Sequence, residues 1–185
     1  NFASILGKTD NTTSQSQLLL GGIQGRIIGL VGNGSNAQGW TQSTTVLPLN
    51  TWTHIAVVYN GTATGNANRL RIYVNGTNQP LLFQSAIPTT TANVANPFKI
   101  CRAATSSSVN IDGAVDEVRV WTKALSAATI NNWNNIPVTS AHPDYTDLAA
   151  YYMMDDPLTP LSLADSAGSA NGTITDATYI PNTNL

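Results

Sequence analysis

At 185 residues the chain can bury one sizeable core, or one domain and part of another. Charged residues make up only 10%, against roughly 25% in an ordinary soluble domain. The eight Lys and Arg are scattered and the net charge is -2, which excludes the clustered basic surface that nucleic acid requires.

The 42% of hydrophobic residues fall in short regular blocks, which argues against disorder. Asn, Thr, Ser, Gln and Gly take the place of charge and solvate the surface through neutral hydrogen bonds, a composition that suits an extracellular or cell-surface module. The single cysteine, Cys101, allows no intrachain disulfide and reads as a small buried hydrophobe. A secreted chain without disulfides points towards bacteria. No apolar run approaches the ~20 residues of a membrane span, so membrane insertion is not expected. The chain opens on Asn1 with no signal-peptide pattern, and reads as a processed or excised part of something longer.

In chain order, strands are predicted at Gln17 to Leu20 and Arg26 to Val31, with turn signals at Gly21-Gly22 and Asn33-Gly34. Trp40 follows the polar run 32–39 and is expected on a loop. Trp52 to Tyr59 is the clearest strand. Both its faces are largely apolar, which predicts a central strand covered on both sides, with Trp52 in the core and His54 a hydrogen-bonded core residue. Arg69 to Val74 alternates apolar with polar or aromatic residues and reads as half-buried with one wetter face. It runs into Asn75-Gly76, a tight hairpin turn, with Leu81 to Phe83 as the returning strand. Further strands are predicted at Pro97 to Arg102 and Ala114 to Trp121. Ser126 caps a short helix over Ala127 to Trp133, near residues 126–134, whose Ile130 and Trp133 would close one end of the core. Leu148 to Met154 is a last strand candidate, and Trp121 and Trp133 also read as core. The many short strands with regular Gly punctuation predict an all-β, two-sheet antiparallel sandwich.

Three blocks carry a family resemblance. Thr51-Trp52-Thr53-His54-Ile55-Ala56-Val57-Val58-Tyr59-Asn60-Gly61 resembles a signature strand of laminin-G-like and pentraxin-like domains. Leu70-Arg71-Ile72-Tyr73-Val74-Asn75-Gly76 resembles their hairpin. Asp112-Gly113-Ala114-Val115-Asp116-Glu117-Val118-Arg119-Val120-Trp121, continued by Ala124-Leu125-Ser126, resembles a third block, and all three stand in the family's order. The segment Leu148-Ala149-Ala150-Tyr151-Tyr152 with Asp165-Ser166-Ala167-Gly168 and Asn171-Gly172-Thr173 is similar to a further element of bacterial surface proteins. The resemblance implies a concanavalin-like jelly roll. It also implies that the family's first strands are missing: they were cut away, or the tail or a neighbouring domain or chain replaces them, since an uncovered sheet edge invites aggregation. Residues 1–136 then form the jelly-roll core, and 137–185 supply loop and tail strands that complete the sandwich or start a following module.

The family's role is recognition of glycans, proteins or other ligands, often with calcium. The same fold supports glycoside hydrolases, which need two carboxyl groups flanking the scissile bond. Glu117 is the sole Glu, and adjacent Asp116 points to the other side of an extended strand, so no catalytic pair is predicted. The two His and one Cys lack zinc-ligand spacing. The expected function is a non-catalytic adhesion or recognition module for a glycan or surface protein; the alternative is a spacer or subunit of a surface assembly, and a hydrolase comes last. For a structural calcium the candidates are Asp112, Asp116 and Asp165, with Asp155 and Asp156, adjacent to each other, as a further acidic pair; Asp residues capping their own turns are the competing reading. Asp116 shares a side with Val118 and Val120 and could instead be a buried acceptor for loop amides. Trp40 and Tyr145 are the candidates for stacking on a sugar ring. The N-x-S/T sequons at Asn11, Asn33, Asn60, Asn75 and Asn171 are explained, in four cases of five, as Asn-Gly turns.

Overall fold

A computed structural model describes residues 2–9, 17–34, 38–102, 111–155, 162–175 and 177–178. Asn11 and Asp156 lie outside the described residues. The chain divides into two compact units, one of Asn1–Asp112 with Ser126–Asn135, the other of Gly113–Leu125 with Ile136–Leu185.

The first unit begins with four antiparallel strands, β1 (Phe2–Lys8), β2 (Leu18–Ile23), β3 (Arg26–Gly32) and β4 (Gln38–Val46). The chain then crosses to β5 (Ile55–Tyr59), the single turn α1 (Asn66–Arg69), β6 (Leu70–Val74) and β7 (Thr77–Asn78). It returns for β8 (Leu81–Phe83) and β9 (Lys99–Ile100). The result is a six-stranded sheet in the order β8-β4-β3-β2-β1-β9 and a three-stranded sheet in the order β5-β6-β7. The sheets face each other across an apolar core. Leu20 and Ile27 of the larger sheet pack with Ile72 of the smaller, and Val31 packs with Leu70 and Ile87. Gly29 marks the core side of β3, because a Cβ there would lie 3.3 Å from Leu70 Cδ2. The all-β, two-sheet antiparallel architecture expected from sequence is what the chain adopts.

Several local expectations are corrected. Gly21-Gly22 is not a turn but lies inside β2, and the reversal falls on Gln24 and Gly25, whose φ angles are +50° and +74°. β5 starts at Ile55, leaving Trp52 before the strand and half exposed rather than in the core. The strand covered on both faces is β6: Leu70 and Ile72 are fully buried on one side and Tyr73 on the other. Asn75-Gly76 does form the tight turn, with φ +48° and +76°. Its returning strand is β7, where Val74 pairs with Thr77, whereas Leu81–Phe83 crosses to the other sheet and pairs with β4.

The predicted helix is α2 (Ala127–Trp133), and Ser126 Oγ accepts from the Thr129 amide at 3.0 Å as a cap should. Ile130 is its buried residue. The helix rests on the β6–β7 turn so closely that a Cβ on Gly76 would meet atoms of Asn131 and Asn134 at 2.6–2.9 Å. Gly76 is therefore required twice, for its positive φ and for the space.

In the second unit β10 (Val118–Trp121) pairs antiparallel with β11 (Leu148–Tyr152), and β12 (Ser162–Leu163) with β13 (Gly172–Thr173). A 3-10 turn, Tyr145–Asp147, leads into β11. The predicted strand from Ala114 is shorter than expected because Glu117 takes φ +54° and ends the ladder there. No helix among the described residues is long and apolar enough to cross a membrane.

Candidate functional site

The six-stranded sheet has one face on the core and one away from it. Strand residues alternate faces, and residues opposite one another share a face. On the core side stand Leu20, Ile27, Val31, Phe83 and, across from Gly29, Thr41. The other face therefore carries Trp40 paired with Leu30, Leu30 with Leu19, and Gln42 between Ile28 and Leu82. The Gln84 amide, just past β8, donates to the Trp40 carbonyl at 3.1 Å and so sets Gln84 beside Trp40. Trp40, Leu30, Leu19 and Gln42 are half-buried, Leu82 and Gln84 exposed.

Trp40 is therefore not on a loop, as its polar surroundings in sequence suggest, but on a strand, with its indole among aliphatic side chains and two neutral amides. Such a surface offers an aromatic face and uncharged donors and acceptors, the complement of a ring that has an apolar face and hydroxyl edges. The amides of Gln42 and Gln84 were not legible as partners of Trp40. The signal was masked because β4 is polar on both faces. Its core-facing Thr41 and Ser43 are fully buried and satisfied by hydrogen bonds: Thr41 Oγ1 donates to the Leu82 carbonyl (3.0 Å), and Ser43 Oγ accepts from the Ile27 amide (3.1 Å).

The acidic candidates have different surroundings. Asp165 is buried, and its Oδ1 accepts from the amides of Tyr151 (2.9 Å) and Ala167 (3.0 Å), its Oδ2 from Ala170 (3.0 Å). Burial pushes its carboxyl up, but these amides together with that of Gly168 outweigh burial and hold it below the usual carboxylate range. Its own amide donates to Asn171 Oδ1 at 2.9 Å, so the Asp-Ser-x-Gly loop is knotted around one carboxylate. Asp116 Oδ1 accepts from the Glu117 amide at 3.0 Å. Its carboxyl is raised by burial, against the Glu117 amide, with the charges of Asp155 and Glu117 adding to the rise. Asp112 belongs to the first unit and is exposed. Among the described residues no three His, Cys, Asp or Glu side chains converge as a metal group, and the saturated oxygens of Asp165 fit a cation poorly.

Glu117 Oε2 accepts from Arg119 Nη2 and from the Tyr151 hydroxyl, both at 2.6 Å. Burial first, then the bond to Glu117, pushes the Tyr151 phenol up to about 12. Arg119 also lies over the Tyr151 ring, 5.6 Å from its centroid. His54 is half-buried, its amide donating to Asn75 Oδ1 at 2.9 Å. His142 is buried and stacks on Trp121 with ring centroids 4.6 Å apart, while its Nδ1 accepts from the Asp144 amide at 3.0 Å. Tyr145 is exposed on the 3-10 turn, beside Asp144 and Asp147, which together hold Lys123.

Among curated proteins none matches the chain. A family profile does, over residues 2–131, a span that takes in both sheets of the first unit and the strand β10. Its family is described as the concanavalin A-like lectin/glucanases superfamily, a grouping of carbohydrate- and protein-binding modules that also contains glycosidases. With two antiparallel sheets enclosing one core and this match over more than half its length, the chain belongs to the concanavalin A-like lectin/glucanase superfamily in its laminin-G-like branch.

Proposed function

We propose that the chain is a non-catalytic recognition module acting outside the cell or on its surface, and that it binds glycan through the Trp40 face of the six-stranded sheet. The observation that carries this reading is half-buried Trp40 in register beside Leu30, Gln42 and Gln84 on the side of the sheet away from the core. Indole stacking with flanking amides binds a neutral sugar without an ion and without charge. The non-catalytic reading is supported by how the carboxylates are used. Glu117 holds Arg119 and Tyr151, and Asp165 holds four amides, so each is engaged in holding backbone or side chains in place.

The test is binding of the chain to a glycan array and to immobilised polysaccharide, with Trp40→Ala beside the unaltered chain. Trp40→Ala should weaken binding about tenfold, the loss of one aromatic contact of about 1.5 kcal/mol. Unchanged binding, or no glycan bound by either protein, would remove the reading in favour of the spacer. Hydrolysis of a bound polysaccharide that disappears in Glu117→Gln would restore the enzyme. For calcium the proposal narrows to Asp116, a half-buried carboxylate with one hydrogen bond, from the Glu117 amide, against the several that saturate Asp165. Thermal unfolding with calcium against chelator measures it, and coincident curves refute it.

A further inference from the structure

The first unit carries an open cleft of about 250 Å³, with Ala3, Ile5, Ile27, Leu47, Arg26 and Asp112 in its lining. A cavity of about 150 Å³ lined by aliphatic side chains accepts a benzene-sized group, so this one has room for a branched aliphatic side chain. Among the described residues neither Arg26 nor Asp112 has a salt-bridge partner. Arg26 uses one guanidinium nitrogen to hold the Thr44 carbonyl, which leaves the rest of its fork open.

On both sides of Leu47 the chain exposes apolar groups without charge. Leu49 is 86% exposed, Val46 53% and Trp52 50%, all within the seven residues Val46 to Trp52. Isolated exposed leucines are ordinary, but three large exposed apolar residues within seven positions are not. Leu49 stands between Pro48 and Asn50, and Asn50 takes φ +54°, so the backbone reverses at this side chain and presents it outward. Leu49 thus projects two positions along the chain from Leu47 of the cleft lining, with only Pro48 between them.

We propose that two copies of this chain associate about a two-fold axis, each placing its Leu49 in the cleft of the other. In such an interface the same patch serves both copies, and contact of residue i with j implies contact of j with i. A projection and a cleft side by side satisfy that condition. The charges satisfy it as well: Arg26 of one copy meets Asp112 of the second, twice per dimer, and each finds a partner that it lacks among the described residues of its own chain. An anionic or cationic partner would suit only one of the two charges, whereas a second copy suits both. This inference goes beyond the recognition reading and stands without it.

Sedimentation of the full chain across about 1 µM to about 1 mM tests it. The unaltered chain should show a concentration-dependent monomer–dimer equilibrium. Leu49→Asp should weaken the dimer at least tenfold, and Leu49 is exposed, so the core is untouched. Arg26→Glu and Asp112→Arg should each weaken it, and the two together should restore most of the affinity. A chain that stays monomeric throughout overturns the proposal, including one that binds apolar peptide or vesicles through Leu49 as a monomer. So does a dimer that none of these substitutions weakens.

Discussion

The two units hold themselves together by different physics. In the first, Leu70, Ile72, Val31 and Ile27 are excluded from water between two sheets, and the buried polar groups beside them, Thr41 and Ser43, are neutral. In the second, the short β10–β11 ladder is tied by ionisable groups: the Glu117 carboxylate to Arg119 and Tyr151, and the Asp165 carboxylate to four amides. A wide sheet pair buries enough apolar area to need no charge. A two-stranded ladder does not, and the loops around it are fixed by charge-assisted hydrogen bonds instead. The first unit should therefore be nearly indifferent to pH, and the second should not.

The largest expected effect is in the core. Leu70→Ala removes a fully buried side chain that packs on Val31, Ile87 and the Gly29 backbone, and should cost about 3–5 kcal/mol, equally at pH 7 and pH 4. Denaturant unfolding at both pH values checks it; a cost that changes with pH would break the comparison. Next comes Asp165→Asn, which turns an amide donor towards backbone donors and should cost about 2–3 kcal/mol. Because the folded carboxyl lies below its ordinary 3.8, its stabilisation is complete above that value and is lost as pH falls through the lower folded pKa. Amide exchange in residues 148–172 should accordingly rise in acid for the unaltered chain. In Asp165→Asn it should already be high at neutral pH, with a smaller acid dependence. The smallest effect belongs to Tyr151→Phe, about 1–2 kcal/mol from the bond to Glu117. With the folded phenol at about 12 against 10 unfolded, the bond contributes fully below pH 10 and is lost as pH climbs towards 12. Melting temperature against pH should fall across that window in the unaltered chain and less steeply in the variant.

The candidate site was legible only in part. Trp40 stands out in sequence as an aromatic beside a polar run, but its position on β4 was hidden because Thr41 and Ser43, which face the core, look like surface residues. The amides that flank it, Gln42 two residues on along β4 and Gln84 just past β8, carry no signal of their own. Asp165 was legible as a loop acid. That its oxygens would be occupied by backbone amides depends on how 165–170 curls around β11, which spacing alone does not give.

By itself the sequence determined what depends on local chemistry. Positive φ at Asn75-Gly76, the Ser126 cap, the apolar blocks of strand length and hence an all-β sandwich follow from conformational preference and period over a few residues. Tertiary structure decided which strand lies in the middle and which sheet a strand joins. β6 rather than β5 is covered on both faces, and Leu81–Phe83 leaves the hairpin for β4, 38 to 42 residues away in sequence. A strand's own residues state that it will pair, but the choice of partner and the burial of each face come from long-range area removed from water, and no local pattern encodes that sum.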